Sequence, residues 1–188
     1  MSSSVVDLGV ATIRTTVTRE TSKINRLVKT FLTNNREKKK IIGLDTERAL
    51  YGIRQSKTVL LQLCDGNCCL IVQLPPNDLN LPVSLFNFLN LPGFTFVGII
   101  GIDKSLKMLE TEFGLTCKNA VEIGTPTRSL MANEIAHLKY TMGDIVQKGH
   151  TSLVLGDWDA WDLNKNQIKL AVSNAYFAYG MGNILLDY

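Results

Sequence analysis

The stretch Ile41-Ile42-Gly43-Leu44-Asp45-Thr46-Glu47 places two carboxylates directly after a short apolar run. An apolar segment of this length predicts a buried strand. Because side chains alternate across a strand, Asp45 and Glu47 point to the same face. Two like charges at the edge of a core raise each other's pKa, and a hard cation such as Mg²⁺ or Mn²⁺ relieves the repulsion. The spacing therefore indicates a metal site, with a solvent-exposed loop after the strand as the alternative.

The segments on either side of this strand predict the first part of a sheet. Residues 9–18 alternate with β-branched side chains, which favours a half-buried strand. A helix is expected next, because Ile24, Leu27, Val28 and Phe31 recur at helical spacing. Residues 58–64 and 68–74 flank the turn at residues 65–67, a pattern typical of antiparallel strands. Together with the strand of Asp45 they predict a three-strand antiparallel meander.

The remainder of the chain alternates between helical and strand patterns. We expect α/β architecture, with a mixed sheet of the meander plus parallel strands, and helices on both faces. No linker or repeat interrupts residues 1–188, which predicts a single domain. The expected elements are a short helix at 82–90, a strand at 94–100, a helix at 103–113 ended by Gly114, a strand at 121–123, one or two helices in 127–147 and a terminal helix at 165–186.

Composition narrows the class of protein. The 188 residues are 45% hydrophobic and 20% charged, which excludes a disordered chain. No apolar run approaches the roughly 20 residues that cross a bilayer, and we expect no membrane partner. The first residues lack a secretory signal pattern, and the four cysteines lie in apolar stretches without zinc spacing. These features predict reduced thiols and a cytoplasmic or nuclear protein.

Basic residues are concentrated near the N-terminus. Lys and Arg outnumber Asp and Glu by nine to three in residues 1–40, whereas acidic residues prevail by fourteen to eleven in residues 41–188. A basic segment attracts a polyanion, although a solvated helix face is the alternative. The residues expected to contact a nucleic-acid backbone are Lys23, Arg26, Lys29, Lys38, Lys39 and Lys40.

Several of these segments together resemble a known family. Residues 42–47 (IGLDTE) resemble the first motif of the DEDD superfamily of 3′–5′ exonucleases, of the Tyr type, which have a ribonuclease-H-like, DnaQ-type fold. Residues 61–64 and 69–74 resemble strands of the Werner-type exonuclease domain, and residues 94–98, 109 and 113–115 resemble its second-motif region. The third motif corresponds to residues 157–160, 167–168 and 175–176. The chain is most similar to small plant Werner-like proteins, among which are the RISC-interacting clearing exoribonucleases.

The resemblance implies a two-metal mechanism in which four carboxylates hold two divalent ions. Asp45 and Glu47 match the family pattern, so they are the expected metal ligands. The last aspartate of the family falls on Asn174, and its tyrosine partner, four residues earlier, falls on Leu170. The second-motif aspartate falls on Lys104 or Ser105, with Asp103 as the nearest carboxylate. The candidate catalytic residues are Asp45, Glu47, Asp103 and Asn174, and the degenerate family positions are Ser105, Leu170 and Asn174.

These departures lead us to expect a protein that binds single-stranded RNA or DNA with weak or absent turnover. Loss of nearby anions weakens the second cation most, so a weak or single Mg²⁺ or Mn²⁺ site is expected. The alternative is a fully active 3′–5′ exonuclease whose ligands are completed by Asp103 or a neighbouring subunit, because some relatives form homo-hexamers. A domain that binds only protein is a more distant third hypothesis.

Two tryptophans near the third motif carry a further expectation. Trp158 and Trp161 alternate with the acidic residues Asp157, Asp159 and Asp162. An aromatic side chain in a nucleic-acid-binding protein can stack on a base. The interpretation that we favour is that both tryptophans fasten a loop to the core, and that the three aspartates are solvated.

Overall fold

The computed structural model describes residues 3–34, 40–51, 55–76, 81–99, 101–124 and 157–186. Within these ranges the fold is a seven-stranded mixed sheet covered by helices on both faces. None of the helices in the described part of the chain is both long and apolar enough to span a lipid bilayer. The predicted helices of residues 127–147 lie outside the described residues.

The sheet has the strand order β1-β2-β5-β4-β3-β6-β7. Strands β3, β4 and β5 form the predicted antiparallel meander, whereas β2 pairs with β5, β6 with β3 and β7 with β6 in parallel. The edge strand β1 pairs antiparallel with β2. The strands are β1 (Ser3–Asp7), β2 (Thr12–Thr18), β3 (Ile41–Tyr51), β4 (Gln55–Cys64), β5 (Cys68–Gln73), β6 (Thr95–Ile99) and β7 (Ala120–Ile123).

Four helices occupy the described ranges, and they divide the core into two clusters. The apolar sides of the first three pack on one face of the sheet, which we call the α1 face, with Phe31, Phe88 and Phe96 at its centre. The fourth covers the opposite face, the α4 face, where Leu170, Val172 and Phe177 lie against residues such as Leu60 and Ile71. The helices are α1 (Thr21–Asn34), α2 (Val83–Leu89), α3 (Ile102–Phe113) and α4 (Lys165–Leu185).

The backbone of α4 approaches β3 more closely than any side chain on Gly43 would allow. A Cβ atom built on Gly43 would lie 2.0 Å from the Ala175 carbonyl oxygen and 2.5 Å from the Tyr179 backbone nitrogen. Gly182, nearer the C-terminal end of α4, allows a similar approach to β6, since a Cβ there would lie 2.7 Å from the Val97 side chain. The absence of these side chains fixes the height of α4 above the strand that carries Asp45.

The predicted fold class and the order of the predicted elements in the described ranges are confirmed. The helix predicted at 103–113 spans Ile102–Phe113 and is followed by Gly114, whose φ of 68° suits a glycine C-cap. One strand was not predicted, and another was predicted too short. Residues 3–7 form β1, which the Ser-rich N-terminus did not indicate, and β3 continues past the acidic pair to Tyr51 instead of ending at Asp45. Pairing with β4 keeps this polar segment extended.

Candidate metal centre

Asp45 and Glu47 lie within β3, on the α4 face of the sheet. Their neighbours in the antiparallel ladder are Gln62 and Leu60 of β4, respectively. Directly after Glu47 the register shifts, because Arg48 pairs with Thr58 and leaves Val59 without a partner residue on β3. Bulges of this kind reorient side chains and are frequent near active sites. The bulge separates the acidic pair from the exposed end of β3.

Arg48 fixes the strand just beyond the bulge. Its guanidinium forms an ion pair with Glu112 of α3, at 2.9 Å between Nη2 and Oε1, and donates to the Ser56 carbonyl at 2.8 Å. Glu112 in turn accepts a hydrogen bond from the Thr58 backbone N–H. These bonds hold the pKa of Glu112 below its usual value, although partial burial opposes the shift. The strand that carries the acidic pair is therefore anchored to α3 on the other side of the sheet.

Asn174 of α4 lies above the acidic pair. Its side chain hydrogen bonds to the carboxylates of both Asp45 and Glu47. Helix α4 begins with a capping box in which the Asn164 side chain accepts from the Gln167 N–H and Gln167 returns a bond to the Asn164 N–H. Together with the close contact at Gly43, this start fixes where Asn174 meets β3. One carboxamide thus contacts two carboxylates, which places both on one face.

Burial makes the charged form of this pair unfavourable. It raises the pKa of Asp45 to about 6, against hydrogen bonds from the Thr46 backbone and Asn174 that lower it. Glu47 is only 8% exposed, and its pKa is raised to about 8 by burial and by the charge of Asp45, with the Asn174 hydrogen bond acting in the opposite direction. The pair therefore favours a proton or a cation between its oxygens.

Gln62 is a further polar side chain at this place, and it was not among the residues predicted from the sequence. It lies opposite Asp45 in the ladder, is fully buried, and neither its Oε1 nor its Nε2 has a hydrogen-bond partner among the described residues. Side chains that face each other in an antiparallel pair have Cβ atoms about 4.5–5.5 Å apart. An unpaired buried carboxamide costs about 1–3 kcal/mol. The sequence signal was a single polar residue inside the apolar run at residues 59–64.

The second-motif residues lie at the start of α3. Asp103 is in the first turn and exposed, and the hydroxyl of Ser105 donates to the Gly101 carbonyl. Across the described ranges, no group of three or more His, Cys, Asp or Glu side chains is placed to hold a metal ion. Asp103 therefore does not form such a group with Asp45 and Glu47.

Leu170 occupies the position one turn before Asn174. The side chain is 3% exposed and belongs to the apolar cluster of the α4 face. Residues four apart lie on the same side of a helix, so Leu170 presents a hydrocarbon where the family resemblance implies a tyrosine hydroxyl.

The basic residues of α1 lie on the other side of the sheet from the acidic pair. Arg26 and Lys29 are exposed, and Lys23 forms an ion pair with Glu20 at 3.3 Å. Helix α1 packs on the α1 face, whereas Asp45 and Glu47 lie on the α4 face. Lys40 is exposed with its ammonium 5.6 Å from the centre of the Phe94 ring. Lys38 and Lys39 lie outside the described residues.

The chemistry of these groups fits one hard divalent cation. Mg²⁺ and Mn²⁺ prefer carboxylate and carbonyl oxygens, which Asp45, Glu47, Asn174 and Gln62 carry. The unpaired Gln62 carboxamide and the raised pKa values of the two acids both favour a bound cation at this place. Two carboxylates balance the charge of one divalent ion. They do not balance two, so the described residues do not fit a pair of cations.

Comparison with solved structures supports the fold. The chain is similar to RNase D of Escherichia coli, an exoribonuclease involved in structured RNA processing, with a TM-score of 0.65 and 18% sequence identity over 87% of this chain. The match covers 42% of RNase D, so the chain corresponds to less than half of that enzyme's length. The fold is therefore the ribonuclease-H-like fold of DnaQ-type exonucleases. A likeness at this identity establishes the fold and leaves the reaction open.

Two other solved structures are more weakly similar. The EXD2 exonuclease domain has a TM-score of 0.49 and 20% identity over 93% of this chain and 94% of that domain. A crystal of the same domain soaked in Mn has a TM-score of 0.47 and 19% identity over 92% and 89% of the two chains. No protein-family model and no curated protein sequence matches the chain.

Proposed function

We propose that this chain binds single-stranded RNA or DNA with an exonuclease fold, and that its centre holds one Mg²⁺ or Mn²⁺ ion. On this proposal, 3′–5′ hydrolysis by the isolated chain is weak or absent. The observation that carries the proposal is the contact of Asn174 with both Asp45 and Glu47, with no third carboxylate near them in the described ranges.

The residues of the centre have separable tasks. Asp45 and Glu47 supply the two negative charges that hold the cation, and the carboxamides of Asn174 and Gln62 supply neutral oxygens or bonds to its water ligands. A bound ion would polarise a phosphate oxygen and lower the pKa of a water molecule. Leu170 offers no hydroxyl to orient that water. The result is a site that binds a nucleic-acid end more readily than it hydrolyses it.

Several finer assignments belong to the same proposal. The motifs at residues 42–47 and 157–176 favour a relative of the Werner-type exonuclease domains, and in particular of the small plant proteins of that kind. We also propose a cytoplasmic or nuclear location and a homo-oligomer, with a homo-hexamer as one form. The basic residues of α1 are proposed to contact the nucleic-acid backbone away from the metal centre.

The proposal is tested with 5′-labelled single-stranded RNA and DNA in Mn²⁺ or Mg²⁺. Denaturing gels report 3′ shortening, and a filter assay reports binding. We expect binding with little shortening, and we expect the double substitution Asn174→Asp with Ser105→Asp to raise shortening at least tenfold. The matched control is Asn183→Asp, on the same helix but away from β3's acidic pair. Absence of binding to any probe would contradict the proposal and favour a protein-binding domain.

The second candidate function is a fully active 3′–5′ exonuclease. It is favoured by the position of Asp103, since β6 runs parallel to β3 and α3 begins directly beyond its end. A shift of the first turn of α3, or a group from a neighbouring subunit, would then complete the set of metal ligands. Rapid stepwise shortening that is abolished by Asp103→Asn would establish this function. Shortening that depends on protein concentration and survives Asp103→Asn would point to the neighbouring subunit.

A further inference from the structure

Trp161 is the large apolar side chain with the greatest exposure among those of the described residues. It is 72% exposed, whereas Trp158 three residues earlier is 3% exposed and belongs to the core of the α4 face. The predicted role of fastening the loop therefore applies to Trp158. The position of Trp161 needs another explanation, because its indole buries little apolar surface in the fold.

The loop around Trp161 is held by its backbone and not by its indole. Gln73 at the end of β5 donates to the carbonyls of Ala160 and Trp161, at 3.3 and 3.1 Å. Arg19, which follows β2, donates to the Trp161 carbonyl at 3.1 Å. The indole could be removed without breaking any of these bonds.

Arg19 also covers one face of the indole. Its guanidinium carbon lies 3.7 Å from the ring centre, which is cation–π geometry. The exposure of Trp161 means that the opposite face is open to solvent. A rigid aromatic ring backed by a cation is the arrangement on which proteins stack the bases of single-stranded nucleic acids.

The ladder of the sheet gives a lower bound on the distance from this ring to the acidic pair, because the ring stacks on Arg19 beyond β5. Glu47 is opposite Leu60, and Leu60 is opposite Gln73, whose amide holds the Trp161 carbonyl. Neighbouring strands are about 4.8 Å apart, so Glu47 and Gln73 are about 10 Å apart on the same face. At least about three stacked nucleotides are therefore needed to reach from the acidic pair to the ring.

Charges around the ring are mixed. Arg19 and Lys57 line a cavity of about 110 Å³ beside the loop, together with Asp159. The Lys57 ammonium donates to the Pro76 carbonyl and lies 5.1 Å from the centre of the Phe113 ring. Asp159 and Asp162 carry charges that repel phosphate, which favours contact of this loop with a base over contact with the sugar–phosphate backbone.

We infer that Trp161, backed by Arg19, is a stacking platform for a base of single-stranded RNA or DNA, at least about three nucleotides from the end that lies at Asp45 and Glu47. This inference rests on the proposed function, because it requires that the chain binds a single strand at the acidic pair.

The test uses 5′-fluorescein-labelled oligouridylates of two and eight nucleotides in Mn²⁺, with their length checked on gels. Anisotropy should show that Trp161→Ala weakens binding of the eight-nucleotide probe about tenfold and leaves the two-nucleotide probe unchanged. Trp161→Phe should retain most of the affinity. The matched control is Val83→Ala, which removes a side chain of 71% exposure on the α1 face.

The two tryptophans supply a second readout. Because Trp158 is buried, quenching of the exposed indole by the eight-nucleotide probe should dominate the wild-type signal and disappear in Trp161→Phe, which still binds. Wild-type binding with no quenching and no effect of Trp161→Ala would overturn the platform and leave the proposed function intact. Failure of the wild type to bind either probe would overturn both.

Discussion

The two faces of the sheet are built from different chemistry. The α1 face is a continuous apolar cluster in which Phe88 stacks on Phe31 at 5.6 Å and meets Phe94 and Phe96 edge-on at 5.2 and 5.4 Å. The α4 face also has an apolar cluster, but it contains the buried polar residues Glu47, Gln62, Gln73 and Ser173 beside Asp45 and Asn174. Burying such groups costs free energy. Both faces therefore stabilise the fold through their apolar clusters, and the α4 face gives up part of that stability to hold a site.

The largest expected effect comes from the α1 face. Phe88→Ala removes the ring shared by three aromatic contacts and should lower the free energy of unfolding by about 3–5 kcal/mol. Urea denaturation measures the loss. The fraction that remains folded should bind Mn²⁺ as the wild type does. Loss of Mn²⁺ binding by the folded fraction would contradict the conclusion that the metal site depends on the α4 face alone.

The next effect comes from the contact between α4 and β3. Gly43→Ala places a methyl group against the Ala175 carbonyl and should lower the free energy of unfolding by about 3 kcal/mol, because backbone atoms cannot move aside cheaply. It should also lift Asn174 away from the acidic pair and weaken Mn²⁺ binding. Gly124→Ala is the control, since no atom of the described residues lies within 4 Å of its added Cβ. Equal stability of the two variants would show that α4 is not held at this height.

In the absence of metal, removing a charge from the acidic pair should raise the stability of the fold, unlike the two substitutions above. Its folded pKa values, about 6 and about 8, exceed the ordinary values of 3.8 and 4.5, so the folded state holds more protons than the unfolded state. Stability of the metal-free protein should therefore fall as the pH rises from about 4 to 8. Glu47→Gln should raise stability by about 1–3 kcal/mol at pH 8 and little at pH 4.5. Thermal unfolding in EDTA at both pH values measures this difference.

The stability of Glu47→Gln with and without Mn²⁺ distinguishes a metal-binding site from an acidic pair that binds no metal. With saturating Mn²⁺ the wild type should be more stable than Glu47→Gln, because the wild type gains binding free energy that the variant lacks. A variant that is less stable than the wild type at pH 8 in EDTA would contradict the idea that the α4 face gives up stability for its site.

The smallest expected effect concerns Gln62. Gln62→Leu removes the unpaired carboxamide while keeping a similar side-chain volume, and should stabilise the metal-free protein by about 1 kcal/mol. The same variant should bind Mn²⁺ several-fold more weakly in calorimetric titrations. Leu63→Met, on the α1 face, is the control for a change of packing in the same strand. Unchanged Mn²⁺ affinity in Gln62→Leu would remove Gln62 from the site.

Local patterns in the sequence predicted most of the fold because each element carries its own periodicity. The helical spacing of Ile24, Leu27 and Phe31 and the turn at residues 65–67 need no distant partner to be recognised. Strand β1 was missed because it depends on pairing with β2, and Val6 is the only one of its side chains that is buried. The length of β3 was underestimated for the same reason.

The site was predictable only in part. The spacing of Asp45 and Glu47 indicated their shared face, but the contact with Asn174 depends on Gly43 admitting α4, which joins residues distant in sequence. No periodicity reveals which face of the sheet a helix covers, so the basic residues of α1 could not be placed relative to the acids. Trp158 and Trp161 are equivalent in sequence pattern, and only the structure separates the buried ring from the exposed one.

The most direct test is the number of Mn²⁺ ions that one chain binds, measured by isothermal titration with electron paramagnetic resonance of the free ion. Two carboxylates and two carboxamides predict one ion per chain, which Glu47→Gln abolishes and Val83→Ala leaves unchanged. Two ions of comparable affinity would contradict the account, because further anions would then have to join Asp45 and Glu47. Binding of no ion would also contradict the prediction, because Asp45 and Glu47 would then not form a metal site.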